Sequence, residues 1–218
     1  MGRPREFDRE AVLDRVVDRF WAGGFEATSV QDLVECTGVK RQSLYHAFGD
    51  KQQLFLQALE RYHHRVVKRN LHLLSRPGPA LTAIRSFFQA KVEEAVHPTQ
   101  PRGCLMTNSA VERAVCDAET AQRVAVSLRD MEQAFHRALR RALDADELAP
   151  DADLRALARH LVNSVQGLLV LSKACRARAL LQDIVEVSLR ALESNKNGSA
   201  HGRARRPWRR CGPTGGEQ

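Results

Sequence analysis

Long apolar runs are missing from this sequence. No stretch approaches the roughly 18 uncharged apolar residues of a membrane-spanning helix, which excludes an integral membrane protein and removes the membrane as an expected partner. The N-terminus runs from Met1 straight into a charged amphipathic segment with no apolar signal region, so the chain is expected to stay in the cytosol. Aromatic and β-branched runs of period two are also absent, which argues against a sheet. The five cysteines, Cys36, Cys104, Cys116, Cys175 and Cys211, are odd in number, widely spaced and form no CxxC pair. A disulfide framework or zinc knuckle does not fit that pattern; free thiols in a reducing compartment do. His64 and His72 stand two turns apart with no acids nearby, so no metal site is expected. There is no Gly-rich phosphate loop, no HExxH and no GxSxG. Cys104 beside a histidine could mimic a thiol hydrolase, yet no ordered oxyanion partner is visible, so neither an enzyme nor a cofactor is expected.

What the sequence does have is charge and helical period. The 218 residues are 43% hydrophobic and 28% charged, with 34 Lys+Arg against 26 Asp+Glu and a formal net charge of +8. A basic balance invites a nucleic-acid reading, but only its distribution can support one. Residues 194–218 carry Lys196, Arg203, Arg205, Arg206, Arg209 and Arg210 against Glu217, which is +5 of the +8. Residues 1–51 are net −1. The tail is rich in Gly, Pro, Ser, Asn and Arg, and Trp208 is its only large apolar side chain. Such a segment cannot bury enough surface to offset ordering entropy and is expected to be disordered. It is either a solubilising extension or a nonspecific polyanion-binding arm.

Apolar residues recur at i, i+3 and i+4 throughout, which predicts an all-α chain. The first helix is expected over 8–22, with Phe7, Ala11, Val12, Val16, Phe20 and Trp21 inward. Thr28 or Ser29 caps a short second helix, with Val30, Leu33 and Val34 inward. Thr37-Gly38-Val39 makes a tight turn, and a third helix covers 41–48. Asp50 then caps a long helix through about Leu74. Pro77-Gly78-Pro79 breaks the chain, and further helices are expected over 80–96, 104–115, 118–145, 151–175 and 178–193.

Two short helices joined by a turn with Gly have the helix-turn-helix shape. Only the N-terminal end of the second helix reaches base edges in the major groove, so its residue types matter. That end reads Lys40-Arg41-Gln42-Ser43. Arg can take guanine bidentately and Gln can take adenine. Leu44 and Phe48, i and i+4, anchor the helix. Tyr45, His46 and Lys51 suit phosphate, and Thr28, Ser29 and an Arg3/Arg5 arm could clamp the backbone.

The run from Gly24 through Leu33, then Thr37-Gly38-Val39, then Ser43 through Lys51, resembles the DNA-binding domain of TetR/AcrR-type transcriptional regulators. The likeness covers about residues 6–60. It implies a two-domain all-α homodimer: a helix-turn-helix domain over 1–51 on double-stranded operator DNA, and a ligand-binding and dimerisation domain over 52–193. It also implies a repressor released by a small-molecule inducer. Salt-dependent binding driven only by the tail is the alternative.

The Gly103-Cys104-Leu105, Asn108-Ser109-Ala110 and Glu112 pattern resembles a subset of that family in which some members sense electrophiles or oxidants through this cysteine, helped by a lysine in the place of Lys173. A thiol near Arg102 at a helix start should also be reactive. The bland alternative is that Cys104 packs and Lys173 caps a helix C-terminus. A pocket lined by Phe87, Phe88, Met106 and Leu128 is expected to hold the ligand. Residues 151–175 and 178–193 are apolar enough for an intersubunit four-helix bundle.

Overall fold

The computed structural model describes residues 7–97 and 102–193, and among these every regular element is helical. Helix α1 (Arg9–Gly23) begins where Asp8 accepts the N–H groups of Glu10 and Ala11. It buries Val12, Val16, Val17 and Phe20. Ala11, expected inward, is exposed, and Val17 takes that place because 3.6 residues per turn bring it onto the stripe with Val16 and Phe20. Helices α2 (Val30–Thr37) and α3 (Arg41–Phe48) follow, and α4 (Lys51–Tyr62) closes the N-terminal unit against α1. The boundary expected after residue 51 therefore falls at the first turn of a helix that belongs to this packing. Arg61 chelates Asp14 through Nε at 2.8 Å, and Arg65 reaches the same carboxylate at 2.9 Å. These bonds hold the Asp14 carboxyl below its usual range, Arg61 first.

The long helix expected from 51 to 74 is one rod but not one α-helix. His63–Val67 is a π-helical turn, α5 (Lys68–Leu71) is a single α turn, and His72–Ser75 is a 3-10 turn. Helix α6 (Ala80–Val96) starts on Glu147, whose carboxylate accepts the Ala80 and Leu81 N–H groups at 2.8 and 2.9 Å. Helices α7 (Leu105–Glu112), α8 (Ala118–Asp144), α9 (Leu154–Ala174) and α10 (Arg178–Glu193) complete the fold. Helix α7 stops three residues short of expectation because Arg113 leaves helical geometry at φ −129°.

Helices α6, α8, α9 and α10 pack as a bundle. Phe87 meets Phe135 edge to face at 5.3 Å, with Phe88 beside them. Burying each such ring contributes about 1.5–3 kcal/mol. On α9 and α10 most of the expected interface residues are consumed by this core. Leu161 and Leu168 on α9 and Leu181 on α10 are fully buried within the one chain. The apolar residues left outside are Val170, Leu171, Leu180 and Val187.

Candidate nucleic-acid interface

Ser29 is the N-cap of α2. Its hydroxyl accepts the Asp32 N–H, and Asp32 accepts the Ser29 N–H, which is a capping box. These Ser29 bonds, reinforced by Arg19 at 3.0 Å, hold the Asp32 carboxyl at about 2. At the other end of α2, Arg15 donates to the Thr37 carbonyl at 3.0 Å. Helix α1 thus pins α2 at both termini. Gly38 takes φ +70°, a left-handed turn that disfavours a side chain, and swings the chain into α3.

Helix α3 is held from below and from its C-terminal end. Leu44 and Phe48 are buried. Arg9 donates to the Ala47 carbonyl and lies 4.3 Å from the Phe48 ring. Gln57 donates to the Phe48 carbonyl at 2.7 Å. The carbonyls that a helix end leaves orphaned are therefore satisfied by side chains from α1 and α4. What remains free is the outer face. Lys40, Arg41, Gln42, Ser43 and His46 are exposed, and Tyr45 is half-buried with the Arg41 guanidinium 5.3 Å from its ring centre. A short helix presents a polar N-terminal end and is fixed everywhere else.

Three expected backbone clamps lie differently. Thr28 is fully buried and its hydroxyl donates to the Gly24 carbonyl at 2.7 Å, so it does not face a phosphate. The Ser29 hydroxyl is committed to the capping box. Lys51 is half-buried with its ammonium 4.2 Å from the Phe25 ring centre, drawn inward by the ring's negative face. The Arg3/Arg5 arm and the basic tail lie outside the described residues.

On the C-terminal side, Cys104 is a buried N-cap of α7. It lines a cavity of about 40 Å³ with Trp21, Tyr62, Phe87, Lys91 and Met131. Burial first, then the neighbouring Cys104, pushes the Tyr62 phenol well above its usual value. The Arg102 guanidinium bonds Asp18 at 3.0 Å and lies 5.5 Å from the Trp21 ring centre. Lys173 runs past Gly103, yet its ammonium donates to Asn108 Oδ1 at 3.1 Å. Of the four expected pocket residues, Phe87 and Met106 line different cavities. Phe87 lines the Cys104 cavity, Met106 lines a separate cleft beside His63 and Asp130, Phe88 packs in the core, and Leu128 is half-buried against that core. Lys91 and Tyr62 were missed. Lys91 had a signal: it stands four residues from Phe87 on an otherwise apolar face.

A recognition helix fixed on a three-helix support, carried by a helical bundle with its own cavities, defines a helix-turn-helix regulator. Residues 13–58 match the family model described as bacterial regulatory proteins of the tetR family, and residues 80–187 match the tetracyclin repressor-like C-terminal domain. The chain is 39% identical over 194 residues to an uncharacterized HTH-type transcriptional regulator, YezE of Bacillus subtilis, covering 88% of this chain and 100% of that one. It is 31% identical to the HTH-type transcriptional repressor ComR of Escherichia coli, covering 86% and 88%. Among solved structures, a cysteine-substituted TetR family regulator CifR, complexed with a 26-base-pair double-strand operator, superposes with a TM-score of 0.75. Its identity is 32%, and the match covers 88% of this chain and 100% of that one. The chain belongs to the TetR family of helix-turn-helix transcriptional regulators and is not an enzyme. No helix among the described residues is long and apolar enough to cross a membrane.

Proposed function

We propose that this chain is a repressor that binds a palindromic operator as a homodimer and releases it when a small molecule occupies the C-terminal domain or when Cys104 is modified. The observation that carries the reading is the free polar start of α3 on an otherwise immobilised helix. Arg41, Gln42 and Ser43 read base edges, while Lys40, Tyr45 and His46 hold phosphates. Ser29 and Lys51 reach a phosphate only by giving up the capping box and the Phe25 ring. The DNA-contacting residues lie within 1–51, α4 supports them from below, and the effector and dimerisation residues lie within 52–193. The printed names of ComR and of the operator-bound CifR support this assignment.

Dimerisation uses α9 and α10. Their outward Val170, Leu171, Leu180 and Val187 are large apolar side chains left uncovered on two long helices of one protomer. Two half-sites also multiply the weak affinity of one short helix. Selection of bound fragments from a genomic library, followed by footprinting, tests the reading. Protection of an inverted repeat is the expected result; binding without sequence preference that disappears on truncation after Glu193 would favour the tail instead.

A further inference from the structure

Two helical stripes border one groove at the C-terminal end of the rod that starts with α4. On the rod, Lys68, Leu71, His72 and Ser75 recur at three- and four-residue steps. On α8, Asp130, Ala134, Arg137, Ala138 and Arg141 do the same, so each set occupies one helix face. With the turn at Arg76-Pro77-Gly78 they line a space of about 700 Å³, a size that suits a small organic ligand. It shares only Leu71 with the lining of the Cys104 cavity. With a rise of about 1.5 Å per residue, His72 lies about 30 Å along the rod from Lys51, and the Lys51 end is the one that packs on α3.

The turn beside the groove is tied at both ends. The Arg141 guanidinium donates to the carbonyls of Leu74 at 2.9 Å, Arg76 at 2.8 Å and Gly78 at 3.3 Å. Just beyond, Glu147 holds the Ala80 and Leu81 amides. Pro77 and Pro79 restrict the backbone further. The polar groups of the turn are thus satisfied within the protein, and its remaining cation is the exposed Arg76.

The charge in the groove is unmatched. Elsewhere arginines pair with acids: Arg61 with Asp14, Arg123 with Glu60, Arg159 with Glu132 and Arg178 with Glu93. Among the described residues Lys68, Arg76, Arg137 and Arg141 form no ion pair, and the one acid of the lining, Asp130, is taken by His63 at 2.9 Å. Arg141 is committed to carbonyls. That leaves Lys68, Arg76 and Arg137, all exposed and contributed by three different elements, around one concave space. A cleft lined by one sign of charge concentrates the opposite ion. Leu74, Ala134 and Ala138, all buried, give the same groove an apolar lining.

We propose that this groove is a ligand site separate from the Cys104 cavity, and that it takes a small organic anion with two or more negative charges on an apolar body. A single charge would leave most of the three cations uncompensated. The Arg76 and Arg137 guanidinium groups suit phosphate or carboxylate, which accept paired N–H groups, and the leucine and alanines suit the body.

Isothermal titration calorimetry on the full chain tests the site with four probes. ATP and naphthalene-2,6-dicarboxylate carry charge on an apolar body, pyrophosphate has the charge alone, and adenosine has the body alone. At least one of the first two should bind about tenfold or more tightly than both pyrophosphate and adenosine, and which of them binds distinguishes phosphate from carboxylate recognition. Arg76→Ser with Arg137→Ser should weaken that probe about tenfold or more, because two charge-assisted contacts are lost. Arg129→Ser with Arg140→Ser removes the same charge from exposed positions of α8 outside the groove, and should change binding less than about twofold, since distant exposed charges are screened. Lys68→Gln should weaken binding about threefold or more and serves if the first pair does not fold. Equal weakening by the two arginine pairs would mean attraction to bulk charge and would overturn the site. So would failure of both charged, apolar probes to bind, or pyrophosphate binding as tightly as either.

Discussion

Arg41→Ala separates base reading from phosphate holding. Arg41 is the first residue of α3 and is exposed, and its one aromatic contact is Tyr45 at 5.3 Å. Losing that exposed contact costs about 0.5–1 kcal/mol at most, and alanine is the best helix former, so the fold survives. A bidentate arginine–guanine pair discriminates by about 1–3 kcal/mol. With one pair in each half-site the dimer loses about 2–6 kcal/mol of specific binding, or roughly 30-fold or more in the ratio of operator to scrambled affinity. A phosphate contact behaves otherwise. Removing one from each protomer weakens all sequences alike and lowers the slope of log affinity against log salt by about 1.8. Anisotropy titrations on the operator, its single-base variants and a scrambled duplex, repeated over a salt series, distinguish the two. The expected result is lost preference at one base pair per half-site. Uniform weakening with a shallower salt slope would refute base reading by Arg41.

Ser29→Ala removes the cap of α2 and should cost about 1 kcal/mol in urea unfolding; no change would show that Arg19 and Asp32 suffice without it. His63 is held below its usual value chiefly by burial, opposed by its 2.9 Å bond to Asp130. The folded state therefore prefers the neutral ring. Its contribution is full above the unfolded value near 6.5 and is lost as pH falls below it. The melting temperature should drop on acidification through that window, and drop less in His63→Gln; identical profiles would remove His63 as the cause. Leu171→Arg with Val187→Arg should give folded monomers by light scattering, because both side chains already face outward; a persisting dimer would place the interface elsewhere.

The DNA-binding unit was legible because its determinants are local. A cap, a glycine turn and an i, i+4 anchor pair lie within a few residues of the helices they define, so Ser29, Gly38, Leu44 and Phe48 could be read in order. Thr28 shows the limit. Which of two adjacent hydroxyls caps a helix depends on the loop's path, and here Thr28 turns back onto Gly24. The position of Lys51 has a related cause: the Phe25 ring that draws it inward is 26 positions away in the chain and reaches it only through the α1–α4 packing. Apolar count on α9 and α10 does not by itself separate core from interface. A long apolar helix serves its own chain's core first, so Leu168 is buried there and only the residues outside that stripe remain for a partner. Nothing in His63–Val67 marks a π-helical turn; no Pro or Gly stands in it.

The cavity was the least legible feature, since Trp21, Tyr62, Lys91, Cys104, Met131 and Val165 come from six helices or their caps. Its size is nonetheless informative. About 40 Å³ is room for little more than one water. A neighbouring cleft of about 750 Å³ shares Trp21, Val66, Asn70, Glu94, Gly103 and Leu169 with it. Any effector larger than a few atoms can reach Cys104 only by displacing a wall, and those walls come from the six helices that line the cavity. Binding and movement are then one event, so affinity for the moved state is differential affinity. Turning a 99:1 preference into 1:99 requires about 5.5 kcal/mol of such difference. A small cavity supplies it through occupants too large for the resting space. On the proposed mechanism, occupants small enough to fit the resting space bind both states alike and should leave the operator occupied.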